Sequence, residues 1–130
     1  WAARVSCPCE SGLDYDLCCG RFIDGGALPE TAGQLMRSRY TAFTLDRISY
    51  LEKTWHPATR PASIETDSKV RWLGLKIRRT EQGGADDDEG IVEFVARYKI
   101  DGRGHRLHEI SRFARQNGQW LYLDGEMVRK

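Results

Sequence analysis

Four cysteines stand close together near the start of the chain: Cys7 and Cys9 flank Pro8, and Cys18 and Cys19 are adjacent. Thiolates are soft donors, and zinc takes four such ligands in a tetrahedron. A Cys-x-Cys pair and a Cys-Cys pair on two facing turns supply that set. Pro8 stiffens the first pair, while Gly12 and Gly20 let the backbone bend around an ion. With sulfur at all four positions no place is left for water, so a site of this kind is structural rather than catalytic. The same residues admit two other states, disulfides between the pairs or four buried thiols. A bridge between the adjacent Cys18 and Cys19 is strained, but cross-pairing to Cys7 and Cys9 is sterically open. Clustering favours the metal. A secreted, disulfide-stapled fold spreads its cysteines among distant loops, and this chain has none beyond position 19. Zinc, in a reducing and therefore cytoplasmic setting, is the expectation.

Other groups with chemistry are sparser. The acidic run Asp86-Asp87-Asp88-Glu89 lacks the glycine and terminal glutamate spacing of a calcium loop and reads as a solvated turn. His56 precedes Pro57 at an expected helix end, a capping position. His105 and His108 lie near an expected hairpin. His108 and Glu109 are consecutive in a strand and point to opposite faces, which makes them a poor acid–base pair.

The elements that must position these residues follow from composition and period. At 130 residues, 40% hydrophobic and 30% charged, the chain has the size and make-up of one compact globular domain with a small appendage. A formal charge of +1 gives no strong nucleic-acid signal, and no apolar run is long enough to span a membrane. Residues 1–25 are irregular and poor in apolar side chains, so an ion has to supply what a core would. This places a zinc-binding segment at 1–25 and a second domain at 26–130.

That domain begins with helices. Thr31 is an N-cap with Gln34 in capping-box spacing, and Leu35, Met36, Tyr40 and Phe43 form an apolar stripe. A second helix is expected from Asp46 to Trp55, ended by Pro57, with one further helical turn within 58–68. From Lys69 the period becomes two. Strands are expected at 70–79, 91–100, 105–116 and 119–124, with Gly74 at a bulge and an acidic loop over 81–90. Asp101-Gly102 and Asn117-Gly118 are hairpin turns. Their parity sets Phe113 opposite Tyr122 and Arg115 opposite Trp120. It also puts Leu107, Glu109 and Ser111 on the face of Phe94, Ala96 and Tyr98. The class is therefore α+β, helices packed on one face of a curved antiparallel sheet. Glu109 and Ser111 are polar on an otherwise apolar face. With Trp55, His56, Trp72 and Tyr98 they define a candidate pocket, and pairing with Arg39 or Tyr40 is the structural alternative.

CPCESGLDYDLCCG (7–20) resembles the SEC-C motif, a zinc-binding element also found at the C-terminus of the SecA preprotein translocase. Glu10 stands where that motif usually has glycine and removes no ligand. LMRSRYTAF (35–43), TWHPATRP (54–61), WLGLKI (72–77), VEFVARY (92–98), LHEISRF (107–113) and WLYLDG (120–125) resemble the YchJ-like family of bacterial proteins. The resemblance implies zinc ligation by Cys7, Cys9, Cys18 and Cys19. It also implies a central domain like the cystatin-like, nuclear-transport-factor-two-like cone. The cone hosts enzymes, ligand binders and scaffolds alike, so it names no reaction. The leading functional expectation is a non-catalytic zinc-binding adaptor for a protein or ribonucleoprotein partner. The rival is an enzyme or small-molecule binder using the cone pocket.

Overall fold

The computed structural model describes residues 7–9, 13–62, 70–84 and 86–127. Glu10, Ser11 and Gly12, and the 63–68 part of the region expected to hold a helical turn, lie outside the described residues.

A 3-10 turn at Tyr15–Leu17 and a short helix α1 (Gly20–Ile23) occupy the segment expected to be irregular. Helix α2 spans Ala32–Thr44, and its N-cap is Thr31, whose side chain accepts from the Gln34 backbone N–H. The reciprocal bond of a capping box is displaced by one residue: the Gln34 side chain accepts from Glu30, at 2.8 Å. Helix α3 is shorter than its sequence pattern, Ile48–Lys53. Thr54 helps to close it by donating to the Tyr50 carbonyl, before the chain turns to pair Trp55 with Tyr122.

Strands β1 (Arg71–Gln82), β2 (Glu89–Ile100), β3 (Arg103–Gln116) and β4 (Gln119–Met127) form one antiparallel sheet in sequence order. β1 and β2 run further into the acidic stretch than alternation alone implied. The expected ten-residue loop therefore shrinks, and its turn is tied by Asp87 accepting from Gly84 at 2.9 Å. Asp101-Gly102 and Asn117-Gly118 have positive φ at both residues, the two-residue turns whose twist matches that of the strands. Phe113 faces Tyr122 and Arg115 faces Trp120, while Val92, Phe94 and Ala96 face Ser111, Glu109 and Leu107. Register shifts lie between Trp72 and Gly74, between Ile77 and Arg79, and beside Phe113. Such bulges bend a strand and increase its twist, and so help curve the sheet.

The inner face of the sheet packs on α2 through Leu35, Met36, Tyr40, Phe94, Phe113 and Trp120. Two contacts pin the start of α2 to the sheet: the Ala32 N–H donates to the Gly83 carbonyl at 2.9 Å, and Trp120 Nε1 donates to the Glu30 carbonyl at 3.1 Å. No helix among the described residues is long and apolar enough to cross a membrane.

Candidate metal centre and the cone cavity

Cys7, Cys9, Cys18 and Cys19 are all buried, and their sulfurs all lie within 4.8 Å of one another. All four are reduced. The Cys9–Cys18 and Cys18–Cys19 sulfur separations are 3.6 and 3.9 Å. Four sulfurs about 2.3 Å from one ion stand about 3.8 Å apart at the edges of a tetrahedron. The arrangement therefore fits a divalent metal far better than a disulfide, whose sulfurs are about 2 Å apart. Without a cation the site favours protonated thiols: the contact with Cys9, and then burial, push the Cys19 thiol well up. A positive ion among the sulfurs reverses that preference by stabilising the thiolates.

Local structure explains how the cysteines converge. The Cys7 N–H donates to the Leu13 carbonyl, and the Cys18 N–H donates to the Tyr15 carbonyl at the end of the 3-10 turn that leads into the second pair. Helix α2 completes the setting. Thr41 Oγ1 lies 3.6 Å from Cys7 Sγ, and Arg37 Nη1 donates to the Cys9 carbonyl at 2.9 Å. Arg21 Nε reaches the Cys18 carbonyl at 3.2 Å. Sequence reading missed both arginines as partners of the cysteine loop. Arg37 lies off the apolar stripe of α2, and nothing local tells which loop it meets. Between the two cysteine pairs, Leu13 is 50% exposed and Leu17 66% exposed.

The second candidate region is a cavity of about 280 Å³ inside the cone. Trp55, Trp72, Glu109 and Ser111 line it, together with Arg39 and Tyr122 among others. His56 and Tyr98 do not. His56 Nδ1 accepts from the Ala58 N–H at 3.0 Å, the turn-closing role of a residue beside proline. Tyr98 stacks on His105, with centroids 5.2 Å apart, and leans on Trp72. The expected pairing of Glu109 with Arg39 is also absent. The Ser111 hydroxyl donates to Glu109, and Arg39 Nη1 donates to the Leu51 carbonyl at 3.0 Å and to Thr54 Oγ1 at 2.8 Å. The Arg39 guanidinium also lies 4.6 Å from the Tyr122 ring centroid and 5.1 Å from that of Trp55. Burial lowers its pKa to about 10, leaving it charged at neutral pH. His108 binds Glu93 at 2.7 Å on the outer face, away from Glu109.

Residues 31–125 match the family described as YchJ, middle NTF2-like domain. A UPF0225 protein of Cupriavidus pinatubonensis is 48% identical over 98% of this chain and 92% of its own length. Another, from Methylibium petroleiphilum, is 55% identical over 96% of this chain and 90% of its own. The solution structure of a SEC-C motif containing protein from Rhodopseudomonas palustris superposes with a TM-score of 0.84 at 30% identity, covering 96% of this chain and all of that one. The crystal structure of a SEC-C motif containing protein from Psychrobacter arcticus gives a TM-score of 0.74 at 27% identity, over 95% of this chain and 83% of that one.

Proposed function

This chain belongs to the YchJ-like UPF0225 family, and from that premise we propose that it is a non-catalytic zinc protein whose metal-held loop docks a protein partner. The supporting observation is the tetrahedral spacing of four buried sulfurs fastened to α2, with Leu13 and Leu17 facing solvent between the ligand pairs. The ion would be held by Cys7, Cys9, Cys18 and Cys19. When bound it supplies folding energy and leaves no coordination position open for chemistry. The protein does the rest: Arg37 and Arg21 hold ligand carbonyls in place, and the loop presents two leucines that a partner would bury. Elemental analysis is expected to give one zinc per chain, lost on Cys18→Ser. Metal-free protein whose mass shows two disulfides refutes the zinc reading. For docking, a photo-crosslinking residue at position 17 is expected to capture a discrete adduct that Leu13→Glu abolishes with zinc retained. An adduct pattern identical to that from position 45 refutes the partner surface.

The cavity favours a second reading, a small-molecule site. Its volume is nearly twice that of an engineered apolar cavity of about 150 Å³ that binds benzene, and its walls are largely aromatic. A one-ring aromatic alcohol such as benzyl alcohol is the matching probe. Saturable NMR shifts at Met36 and Leu107, abolished by Ala96→Leu, are the expected result. Shifts that are linear and unaffected by Ala96→Leu refute this reading.

A further inference from the structure

The outer face of the sheet, opposite the helices, has a charge distribution that the net value hides. Register places Arg71 opposite Lys99 on β1 and β2, and Arg97 opposite Arg106 on β2 and β3. Lys76 faces Val95, one step along the same face from Arg97. All five cations are exposed, and among the described residues none forms an ion pair. Further along β2, Glu93 is engaged by His108 and Arg79. The acidic run Asp86–Glu89 sits at the far end of the same strand, roughly 25 Å from Arg97 at about 3.3 Å per residue. That is beyond the distance of about 8–10 Å over which exposed charges interact at physiological salt. That run balances the count without relieving the patch, and the nearer exposed acid, Asp101 in the β2–β3 turn, lies only at its Lys99 end.

Like charges directly opposite on neighbouring strands destabilise a sheet. Two such pairs, side by side, form a surface whose self-repulsion an anionic partner would remove. We propose that this face binds the phosphate backbone of single-stranded nucleic acid. Arginine, which supplies three of the five cations, presents a planar fork that binds phosphate oxygens in pairs. A folded protein partner would want an apolar or aromatic anchor at the centre of its interface. Here Gly74 and Gly104 lie between the cations, and the one large apolar side chain exposed beside them is Leu73 at the bulge. The sheet curves around its helices, so this face is convex. A stiff duplex touches a convex surface over a short arc, whereas a flexible strand can follow it. Arg37, which holds the Cys9 carbonyl, shares a surface hollow with Lys76 and Arg97, so the face adjoins the cysteine loop, but the proposal stands on the register of the cations and not on the partner reading.

The test is fluorescence anisotropy of a labelled short oligouridylate titrated with zinc-loaded protein. Five phosphate contacts on a single strand predict a slope of log affinity against log salt of about −3.5. Affinity should then fall about a hundredfold from about 50 to about 200 mM salt. Arg97→Glu creates an ion pair with Arg106, so it is expected to weaken binding more than tenfold while melting no lower than the parent. Arg112→Glu, at the other end of the face, is expected to leave affinity within about twofold. Three results overturn the proposal: a slope shallower than −1, Arg97→Glu binding like the parent, or a blunt duplex or polyglutamate of equal charge competing as well as the oligouridylate.

Discussion

Arg39 carries a charge into the cone with 3% of its surface exposed and no carboxylate in an ion pair. Its partners are a carbonyl at the end of α3, a threonine hydroxyl and two aromatic faces. Arg39→Met deprives the Leu51 carbonyl and Thr54 of a charged donor and removes two cation–π contacts, a loss of about 2–4 kcal/mol by denaturant melting. Glu109→Gln keeps a group able to accept from Ser111, and is expected to cost under about 1 kcal/mol. Because no hydrogen bond or ion pair joins the two side chains, which share only the cavity, a double-mutant cycle should give a coupling energy below about 1 kcal/mol. A coupling of about 3 kcal/mol or more would mean a buried ion pair in solution. Tyr122, pushed up to about 12 by burial and then by the charge of Glu109, stays a phenol throughout the neutral range.

Two close approaches decide how the elements fit together. A Cβ added to Gly90 would lie 2.5 Å from Gly83 Cα and 3.0 Å from the Ala32 side chain. This is where the β1–β2 hairpin meets the start of α2, and backbone atoms cannot give way as a flexible side chain can. Gly90→Ala is therefore expected to lower stability by about 1–3 kcal/mol or more. At Gly102 the added atom meets nothing, and only the positive φ of 80° penalises it. Gly102→Ala should cost about 1–2 kcal/mol, through backbone strain alone. On the outer face, hydrogen bonding to Arg112 holds the Asp124 carboxyl below its usual range, and His108 does the same for Glu93. A carboxyl whose folded pKa is depressed contributes stability above its unfolded pKa and loses it as pH falls through the folded value. Stability should therefore decline below about pH 4, and Arg112→Gln should flatten that decline when melts are compared across the acid range.

For the molecule as a whole, the cysteines share one apolar cluster with Ala32, Leu35, Met36 and Tyr40 of α2 and with Leu75 of β1. Removing the metal would leave four crowded thiols on one side of α2. Chelation is expected to lower the melting temperature of the entire protein. Hydrogen exchange should quicken first over 13–25 and the adjoining turns of α2, while the β2–β3 hairpin stays protected. If chelation leaves both the melting temperature and the exchange of α2 unchanged, the loop is an independent unit. The same scale explains the basic face: a chain with a net charge of +1 can present a strongly positive surface where its cations cluster, with the Asp86–Glu89 run at the far end of β2.

Much of this was legible in the linear chain because the determinants were local. A Thr-x-x-Gln start, two positive-φ dipeptides and a period of two specify the cap of α2, both tight hairpins and their facing pairs. Once Asn117-Gly118 is a two-residue turn, Phe113 and Tyr122 have no other register. The spacing of Cys7, Cys9, Cys18 and Cys19 pointed to a metal for the same reason, since each pair lies on one short turn. What lies between distant segments was not legible. Which loop Arg37 fastens, that Arg39 bonds to Leu51 and Thr54 rather than Glu109, and that His56 closes a turn instead of facing the cavity are set by how α2 and the sheet pack. Local pattern dictates what a residue does to its own backbone. Which side chains become neighbours across the fold depends on global packing of the apolar surface, to which polar and charged groups then conform.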